Sequence, residues 1–216
     1  MNIEPMAEFF KARVGGYDEH MLNNVEGCRE GYRKMAELVP SGAKYVLDLG
    51  CGTGLELDEI FKLNLDVEVT GIDMTAEMLN LLKRKYIEKK LNLINASYFD
   101  VDLGKELYDA AISFQSLHHF THGQKSGLYK RVHDSLKKGG VYIEGDYMIE
   151  DQAQEDFYFS EIRRIKKAQD IPEEEFYHYD TPCTIENQIM LLDKAGFRYV
   201  SMVWRKGNTT IIRGEK

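Results

Sequence analysis

The sequence contains little cysteine, and its cysteines are widely scattered. Its 216 residues include only Cys28, Cys51 and Cys183, an odd number at wide spacing. These positions predict neither a disulfide framework nor a paired-cysteine zinc motif. A reducing compartment is therefore the simpler expectation.

Long apolar runs and a leader-like start are also missing. The sequence has no run of about 18 apolar residues, so we expect no membrane-spanning helix and no membrane partner. Residues 1–10 lack a basic start followed by an apolar stretch, so no secretory signal is visible. We therefore expect a cytoplasmic protein.

Basic residues are fewer than acidic ones, 28 against 36, which gives a formal net charge of -8. An acidic chain is repelled by phosphate backbones unless it gathers its basic groups on one face. The main basic cluster, within residues 83–90, lies on a predicted helix, where a solvated outer face explains it. A nucleic-acid partner is therefore disfavoured, and a small molecule is the expected substrate.

Short β-rich runs alternate with helical patterns along most of the chain. The predicted strands cover residues 44–49, 67–72, 91–95, 107–114, 141–147, 199–204 and 209–213. One of the intervening helices is predicted at 124–137 and is expected to stop at Gly139 and Gly140. The alternation predicts an α/β three-layer sandwich with a seven-stranded, mainly parallel sheet that ends in an antiparallel hairpin.

Two segments, residues 1–40 and 148–182, fall outside this alternation. Neither is large enough to be an independent domain, so we expect a single domain over residues 1–216. Both would cover the edge where the strands end, which is where open α/β sheets bind ligands. The expected parts are an N-terminal helical lid (1–40), a cofactor-binding core (41–147), a substrate-covering insertion (148–182) and a closing helix and hairpin (183–216).

A glycine-rich turn follows the first predicted strand. Gly50, Gly52 and Gly54 alternate before a helix, which permits a tight turn and lets the backbone approach a ligand. Asp73 ends the second strand, where a carboxylate can bind both ribose hydroxyls of an adenosine ligand. Nicotinamide enzymes share that acid, but their fingerprint has a third glycine where this chain has Leu55. The pattern therefore predicts an adenosine ligand whose tail is not a pyrophosphate.

Several motifs together resemble those of class I S-adenosylmethionine-dependent methyltransferases. The similar stretches are VLDLGCGTG at 46–54, GIDM at 71–74, YDAAIS at 108–113, LHHF at 117–120 and LKKGG at 136–140. The resemblance extends over about residues 42–147. It implies a Rossmann-like fold, S-adenosylmethionine as cofactor, and in-line transfer of its methyl group to a small-molecule acceptor.

The resemblance also implies roles for individual residues. Asp48 would organise the glycine loop and approach the cofactor's amino group, while Asp73 would hold the ribose and Met74 would lie against the adenine. Asn95 stands where the family usually has an aspartate, and its carbonyl can still accept a hydrogen bond from the adenine amine. The other cofactor-binding residues implied are Gly50, Cys51, Gly52, Gly54, Ala96, Ser97 and Phe114.

Three residues are candidates for the chemistry of transfer. His119, beside His118 after the fourth strand, could act as a base or orient the acceptor, or the pair could simply pack. Tyr17, next to the glycines at 15–16, could lie on a hinged lid that closes an aromatic ring over the cofactor, or in a plain loop. Asp146 ends the fifth strand and is expected to face the acceptor site.

A metal site is not expected from the sequence. His118 and His122 have a four-residue spacing that could chelate a metal, but no nearby acidic or cysteine ligand completes a recognisable set. The dense aromatics at 157–159 and 176–179 could line an acceptor pocket or form the core of a helical cap.

Other functions remain open at this point. One is a non-catalytic S-adenosylmethionine-binding or regulatory protein that keeps the fold. Another is a protein or RNA methyltransferase, although the acidic charge counts against RNA. A nicotinamide oxidoreductase is disfavoured by Leu55 and by the lack of a hydride-transfer constellation.

Overall fold

The computed structural model describes residues 2–64 and 66–216, and within these residues seven strands form one sheet. The strands are β1 (Tyr45–Leu49), β2 (Glu68–Asp73), β3 (Lys90–Asn95), β4 (Tyr108–Phe114), β5 (Leu136–Tyr147), β6 (Arg198–Lys206) and β7 (Thr209–Glu215). The helices are α1 (Met6–Arg13), α2 (Tyr17–Asn23), α3 (Cys28–Leu38), α4 (Leu55–Leu63), α5 (Ala76–Lys85), α6 (His122–Ser135), α7 (Gln152–Ala168) and α8 (Ile185–Ala195).

The strands lie side by side in the order β3-β2-β1-β4-β5-β7-β6. The first five run parallel, whereas β7 is antiparallel to both of its neighbours, β5 and β6. This arrangement confirms the predicted mainly parallel sheet with a closing antiparallel hairpin. The strand order reverses beside β1 and β4, so the carboxyl ends of these two strands flank the crevice where such sheets bind ligands.

Helices cover both faces of the sheet and make it a three-layer sandwich. Helices α3 and α4 pack on the face that carries Val46 and Ile143. Helices α6 and α8 pack on the opposite face, which carries Leu47 and Tyr142. Because side chains alternate along a strand, β1 supplies apolar residues to both layers, as a central parallel strand must.

The boundary between α6 and β5 differs from the sequence prediction. The helix ends at Ser135, and β5 begins at once with Leu136, which pairs with Tyr108 of β4. Gly139 therefore lies inside the strand with a φ of +77°, and its N–H donates to the Lys216 carbonyl oxygen at 3.1 Å. The two glycines permit an irregular stretch of strand instead of stopping the helix, because tertiary pairing outweighs the local signal.

The N-terminal segment and the insertion meet above the carboxyl edge of the sheet. The Met6 N–H donates to the Phe176 carbonyl oxygen at 3.0 Å, and the His178 N–H donates to that of Glu4 at 2.9 Å. Helix α3 is placed differently, because Tyr32 and its neighbours on that helix are buried in the sandwich. Within residues 2–40, it is therefore the part before α3 that covers the site. None of the described helices combines the length and the apolar character needed to cross a membrane.

Candidate active site

The glycine turn after β1 forms the floor of a cleft at the carboxyl edge of the sheet. Gly50 and Gly52 have φ values of +75° and +46°, which side chains other than glycine rarely adopt. A Cβ on Gly50 would lie 2.1 Å from the Ser116 Oγ, so the close approach of these two loops also requires glycine. The backbone is thereby exposed at the point where a ligand would rest.

Asp73, at the end of β2, is held rigidly beside this turn. One carboxylate oxygen accepts the Gly52 N–H at 3.0 Å, and the other accepts the Thr75 N–H at 2.7 Å. Burial raises the pKa of Asp73, although both backbone hydrogen bonds oppose the rise. Each oxygen keeps a second lone pair, so the carboxylate can accept two further hydrogen bonds from a ligand in the cleft.

The cleft gathers more than half of the residues that the sequence predicts for the cofactor. Those lining it are Tyr17, Gly50, Gly52, Asp73, Met74, Ala96 and Ser97. The sequence analysis missed the other lining residues, which are Met6, Phe10, Thr75, Met78, Tyr98, Gln115, Ser116, His119 (expected only as a catalytic residue) and Phe120. The lid residues among them could not be placed because the path of the N-terminal segment is set by tertiary contacts.

The remaining predicted cofactor residues lie outside the lining of the cleft. Cys51 is buried against Gly71. Gly54, which directly precedes α4, packs against Leu82 of α5. The side chain of Asn95 donates to the Asp73 carbonyl oxygen at 3.0 Å, so it braces the end of β2. Phe114 is buried against Tyr32, with the ring centroids 4.3 Å apart. These residues support the site from behind.

Asp48 is fully buried beneath the glycine turn and lies beside Glu56 of α4. Neither carboxylate oxygen of Asp48 has a hydrogen-bond partner among the described residues. Burial and the neighbouring Glu56 raise the pKa of Asp48, and burial raises the pKa of Glu56 to about 7. Glu56 thus disfavours ionisation of Asp48, whereas burial is what disfavours ionisation of Glu56.

A second and larger cavity of about 920 Å³ adjoins the cleft. The two share four lining residues, which are Phe10, Tyr17, Gln115 and His119. Gln115, directly after β4, adopts a φ of +50°, and its N–H donates to the Gly145 carbonyl oxygen at 2.7 Å. A non-glycine residue in this strained region often marks a functional position, and here it lies between the two cavities.

A group of histidines and carboxylates forms one wall of the larger cavity. His118 is buried, with its Nδ1 2.5 Å from an oxygen of Asp146 and its Nε2 3.5 Å from an oxygen of Asp180. The Nδ1 of His119 lies 3.3 Å from that same Asp180 oxygen. Burial disfavours the imidazolium of His118, but the two carboxylates outweigh it and raise its pKa to about 10.

This arrangement changes two expectations from the sequence. Asp146 faces His118 and not the cavity, where Tyr147 takes its place in the wall. The sequence shows no acidic ligand close to the histidines along the chain. The fold nevertheless brings Asp180 to His118 and His119. His122 likewise meets Glu155 and Cys183. The sequence offered no signal for these contacts because between 33 and 62 residues separate the partners.

Comparisons with known proteins agree with this geometry. Residues 46–140 match a family model described as a methyltransferase domain. A carboxy-S-adenosyl-L-methionine synthase from Nautilia profundicola is 24% identical, over 95% of this chain and 93% of the relative. The domain match and the relatives together support a class I S-adenosylmethionine-dependent methyltransferase. S-adenosylmethionine is therefore the cofactor of this methyltransferase.

Solved structures show the same fold. The complex of DhpI with S-adenosylhomocysteine has a TM-score of 0.71 at 17% identity, over 96% of this chain and 93% of that one. Human N-acetylserotonin methyltransferase with S-adenosylmethionine has a TM-score of 0.65 at 19% identity, over 97% of this chain. The methyltransferase spans 55–62% of the length of several such structural relatives.

The cleft fits the cofactor on its own geometry. Asp73 presents a fixed carboxylate at the cleft wall, and the Gly50 backbone lies open at its floor. Met74 and Phe120 add apolar surface suited to an adenine ring. An adenosine group with a short charged tail therefore matches both the shape and the polarity of the cleft.

Proposed function

We propose that this methyltransferase methylates a small-molecule acceptor bound in the larger cavity. The observation that carries the proposal is the shared wall, because Tyr17, Gln115 and His119 line both the cofactor cleft and the cavity. An acceptor in the cavity would meet the cofactor across these side chains. The volume of about 920 Å³ lies within the range of ordinary small-molecule sites.

The chain's own contribution is binding, orientation and exclusion of water. When bound, the cofactor supplies an activated methyl group, so the demanding chemistry is not the protein's. We assign ribose binding to Asp73 and contact with the base to Met74, Ala96 and Ser97. Tyr17 closes the cleft from the lid, where its ring lies 6.2 Å from that of Phe10, centroid to centroid. Holding an acceptor in line in this way can lower a barrier by roughly 7–11 kcal/mol.

Of the three catalytic candidates, His119 and Tyr17 keep positions from which they can contact an acceptor. Both line the larger cavity as well as the cleft. Asp146 is instead a positioning residue in our proposal, because it acts through the ring of His118. Its carboxylate is fixed in turn by the Leu117 N–H at 2.9 Å.

The test has two stages. Calorimetric titration with S-adenosylhomocysteine first establishes cofactor binding, and a panel of small hydroxyl, amine and thiol compounds is then screened by mass spectrometry for a methylated product. We expect micromolar binding and turnover with one acceptor class. Replacing Gln115 by Leu should reduce turnover, while Gln154→Leu on the outside of α7 serves as the control. Binding without turnover of any acceptor would instead support a non-catalytic role, and methylation of protein or RNA alone would contradict the proposal.

A second candidate reaction comes from the curated relatives. Several of them, including the Nautilia profundicola protein, are named carboxy-S-adenosyl-L-methionine synthase. Arg13 lines the larger cavity and could meet a carboxylate there. Mass analysis of the nucleoside product separates the reactions, because methyl transfer leaves S-adenosylhomocysteine and the second reaction leaves a carboxylated cofactor.

A further inference from the structure

The histidine cluster in the larger cavity has the composition and spacing of a metal centre. His118 and His119 supply imidazole nitrogens and Asp180 supplies a carboxylate oxygen, and all three atoms lie within 4.8 Å of one another. Two ligands of a tetrahedral zinc ion, with bonds of about 2.0–2.1 Å, lie about 3.3 Å apart. The Asp180 oxygen is 3.3 Å from the His119 Nδ1 and 3.5 Å from the His118 Nε2. Two of the three separations between ligand atoms are thus already near the spacing that one zinc ion requires.

The residues behind the cluster support the same interpretation. A histidine that binds a metal usually donates its other ring N–H to a carboxylate, which fixes the ring and its tautomer. His118 has this arrangement, because its Nδ1 lies 2.5 Å from Asp146 while its Nε2 points toward Asp180. Asp146 is itself held by the N–H groups of Leu117 at 2.9 Å and Tyr147 at 2.8 Å. The ring of His118 is therefore held in the orientation that ligation requires, and a metal ion would take the place of the proton on its Nε2.

His178 also lines the cavity, next to these three residues. The Nε2 of His178 lies 3.9 Å from the same Asp180 oxygen, farther than the other two nitrogens. The ring of His178 stacks on Phe9 at 3.4 Å between centroids, so its plane is fixed by the lid. The His119 Nδ1 also lies 3.3 Å from the Tyr179 carbonyl oxygen, a contact that binding of a metal to this nitrogen would replace.

We propose that His118, His119 and Asp180 bind a divalent transition-metal ion of the zinc type, with an open coordination position directed into the larger cavity. Imidazole and carboxylate ligands suit such ions, and two buried or half-buried carboxylates, Asp146 and Asp180, balance the charge. Three protein ligands with one open position are typical of metal sites that bind a substrate oxygen. An acceptor with an oxygen donor therefore fits the site best, and this last step rests on the proposed function.

The neighbouring group of His122, Glu155 and Cys183 is a natural control. It has ligand types of the same kind, but the Lys125 ammonium lies 3.3 Å from the Cys183 sulfur. The buried Lys125 ammonium already supplies the positive charge that a metal ion would supply there. We therefore expect this second group to bind no metal.

The experiment uses tag-free, full-length protein that has been stripped with a chelator and dialysed. Zn²⁺ is titrated by calorimetry in the absence of cofactor and acceptor, so the readout is independent of methyl transfer. We expect one ion per chain, a Kd at least tenfold weaker for Asp180→Asn, loss of binding for His118→Gln, and an unchanged Kd for His122→Gln. Asp146→Asn should weaken binding about 10- to 100-fold, because it releases the ring of His118.

Circular dichroism and thermal melting check that each variant is folded, and Asp180→Asn is the decisive one because its side chain is 44% exposed. A Kd for Asp180→Asn within threefold of the wild type would overturn the proposal, as would the absence of stoichiometric binding. Loss of binding in His122→Gln, with Asp180→Asn unaffected, would place the ion at the other group and likewise contradict it. If Zn²⁺ binds but no acceptor is methylated, the proposed function fails while the metal site stands.

Discussion

At the scale of single residues, two aspartates at the carboxyl ends of neighbouring strands have opposite environments. Asp73 reaches the cleft and is held there by two backbone N–H groups, whereas Asp48 is buried beneath the turn beside Glu56. The sequence correctly predicted that both lie toward the carboxyl edge of the sheet. The resemblance gave both a role at the cofactor, but the burial of Asp48 was not foreseen, because it depends on which side of the turn each carboxylate reaches.

Replacing Asp73 by asparagine should weaken cofactor binding strongly. The amide oxygen can still accept one backbone N–H, but the charge that strengthens hydrogen bonds to ribose hydroxyls is lost. We expect the Kd for S-adenosylhomocysteine to rise ten- to hundredfold, or roughly 1.4–3 kcal/mol. Glu68→Gln, on the same strand at the opposite end, is the matched control in the titration. A Kd for Asp73→Asn within twofold of the wild type would contradict the assignment of ribose binding.

At the scale of elements, α1 and α2 form a lid that is joined to the core by a small number of polar contacts. Asp18 at the start of α2 accepts a hydrogen bond from the Thr53 hydroxyl in the glycine turn. Lys11 of α1 forms an ion pair with Glu77 of α5 at 3.1 Å. The exposed ion pair of Lys11 and Glu77 contributes little, so the lid is expected to open more easily than the sandwich unfolds.

Thr53→Val should loosen the lid while keeping the shape of the side chain. The variant loses the hydrogen bond to Asp18, which is worth about 1.5–3 kcal/mol when the acceptor is charged. We expect faster release of S-adenosylhomocysteine in stopped-flow experiments, by about threefold to tenfold, and faster hydrogen exchange over residues 6–23. Thr70→Val on β2 is the control, because it makes the same chemical change away from the lid. If both variants release the ligand at the wild-type rate, the lid does not control release.

At the scale of the whole molecule, the buried pair of Asp48 and Glu56 should make stability depend on pH. Burial raises the pKa of Glu56 from its ordinary 4.5 to about 7. Between these values the folded chain keeps a proton that the unfolded chain has released, so the free energy of unfolding falls as the pH rises. The part of this decrease that comes from Glu56 should be complete above about pH 8.

Glu56→Gln tests this dependence, because glutamine keeps the shape and cannot ionise. In denaturant titrations without cofactor, the variant should lose less stability between pH 5 and pH 8. At pH 8 it should exceed the wild type by roughly 1–3 kcal/mol. Burial also raises the pKa of Glu144 to about 7, but that residue remains in both proteins, so their difference reports on Glu56 and on its coupling to Asp48. Glu59→Gln on the same helix is the control, and an equal pH slope in Glu56→Gln and wild type would refute the prediction.

The sequence by itself determined the fold class and an adenosine-type ligand, and the resemblance of its motifs to a known family implied S-adenosylmethionine. Both depend on short-range patterns, namely the alternation of strands and helices and the glycine spacing that follows β1. The residues that we assign to the adenosine part lie on turns directly after strands, so their positions along the chain fix their positions in space. The same reasoning located Asp73, Met74, Ala96 and Ser97 in the cleft wall.

Only the tertiary structure decided how the site is closed and what faces the acceptor. Phe10 enters the cleft through the path of the lid, and Asp180 reaches the histidines after β4 from a loop some 60 residues farther along the chain. No periodicity links such positions, because their contact depends on how the N-terminal segment and the insertion pack over the sheet. The histidine cluster and the acceptor cavity are therefore properties of packing, whereas the cofactor cleft is a property of local sequence.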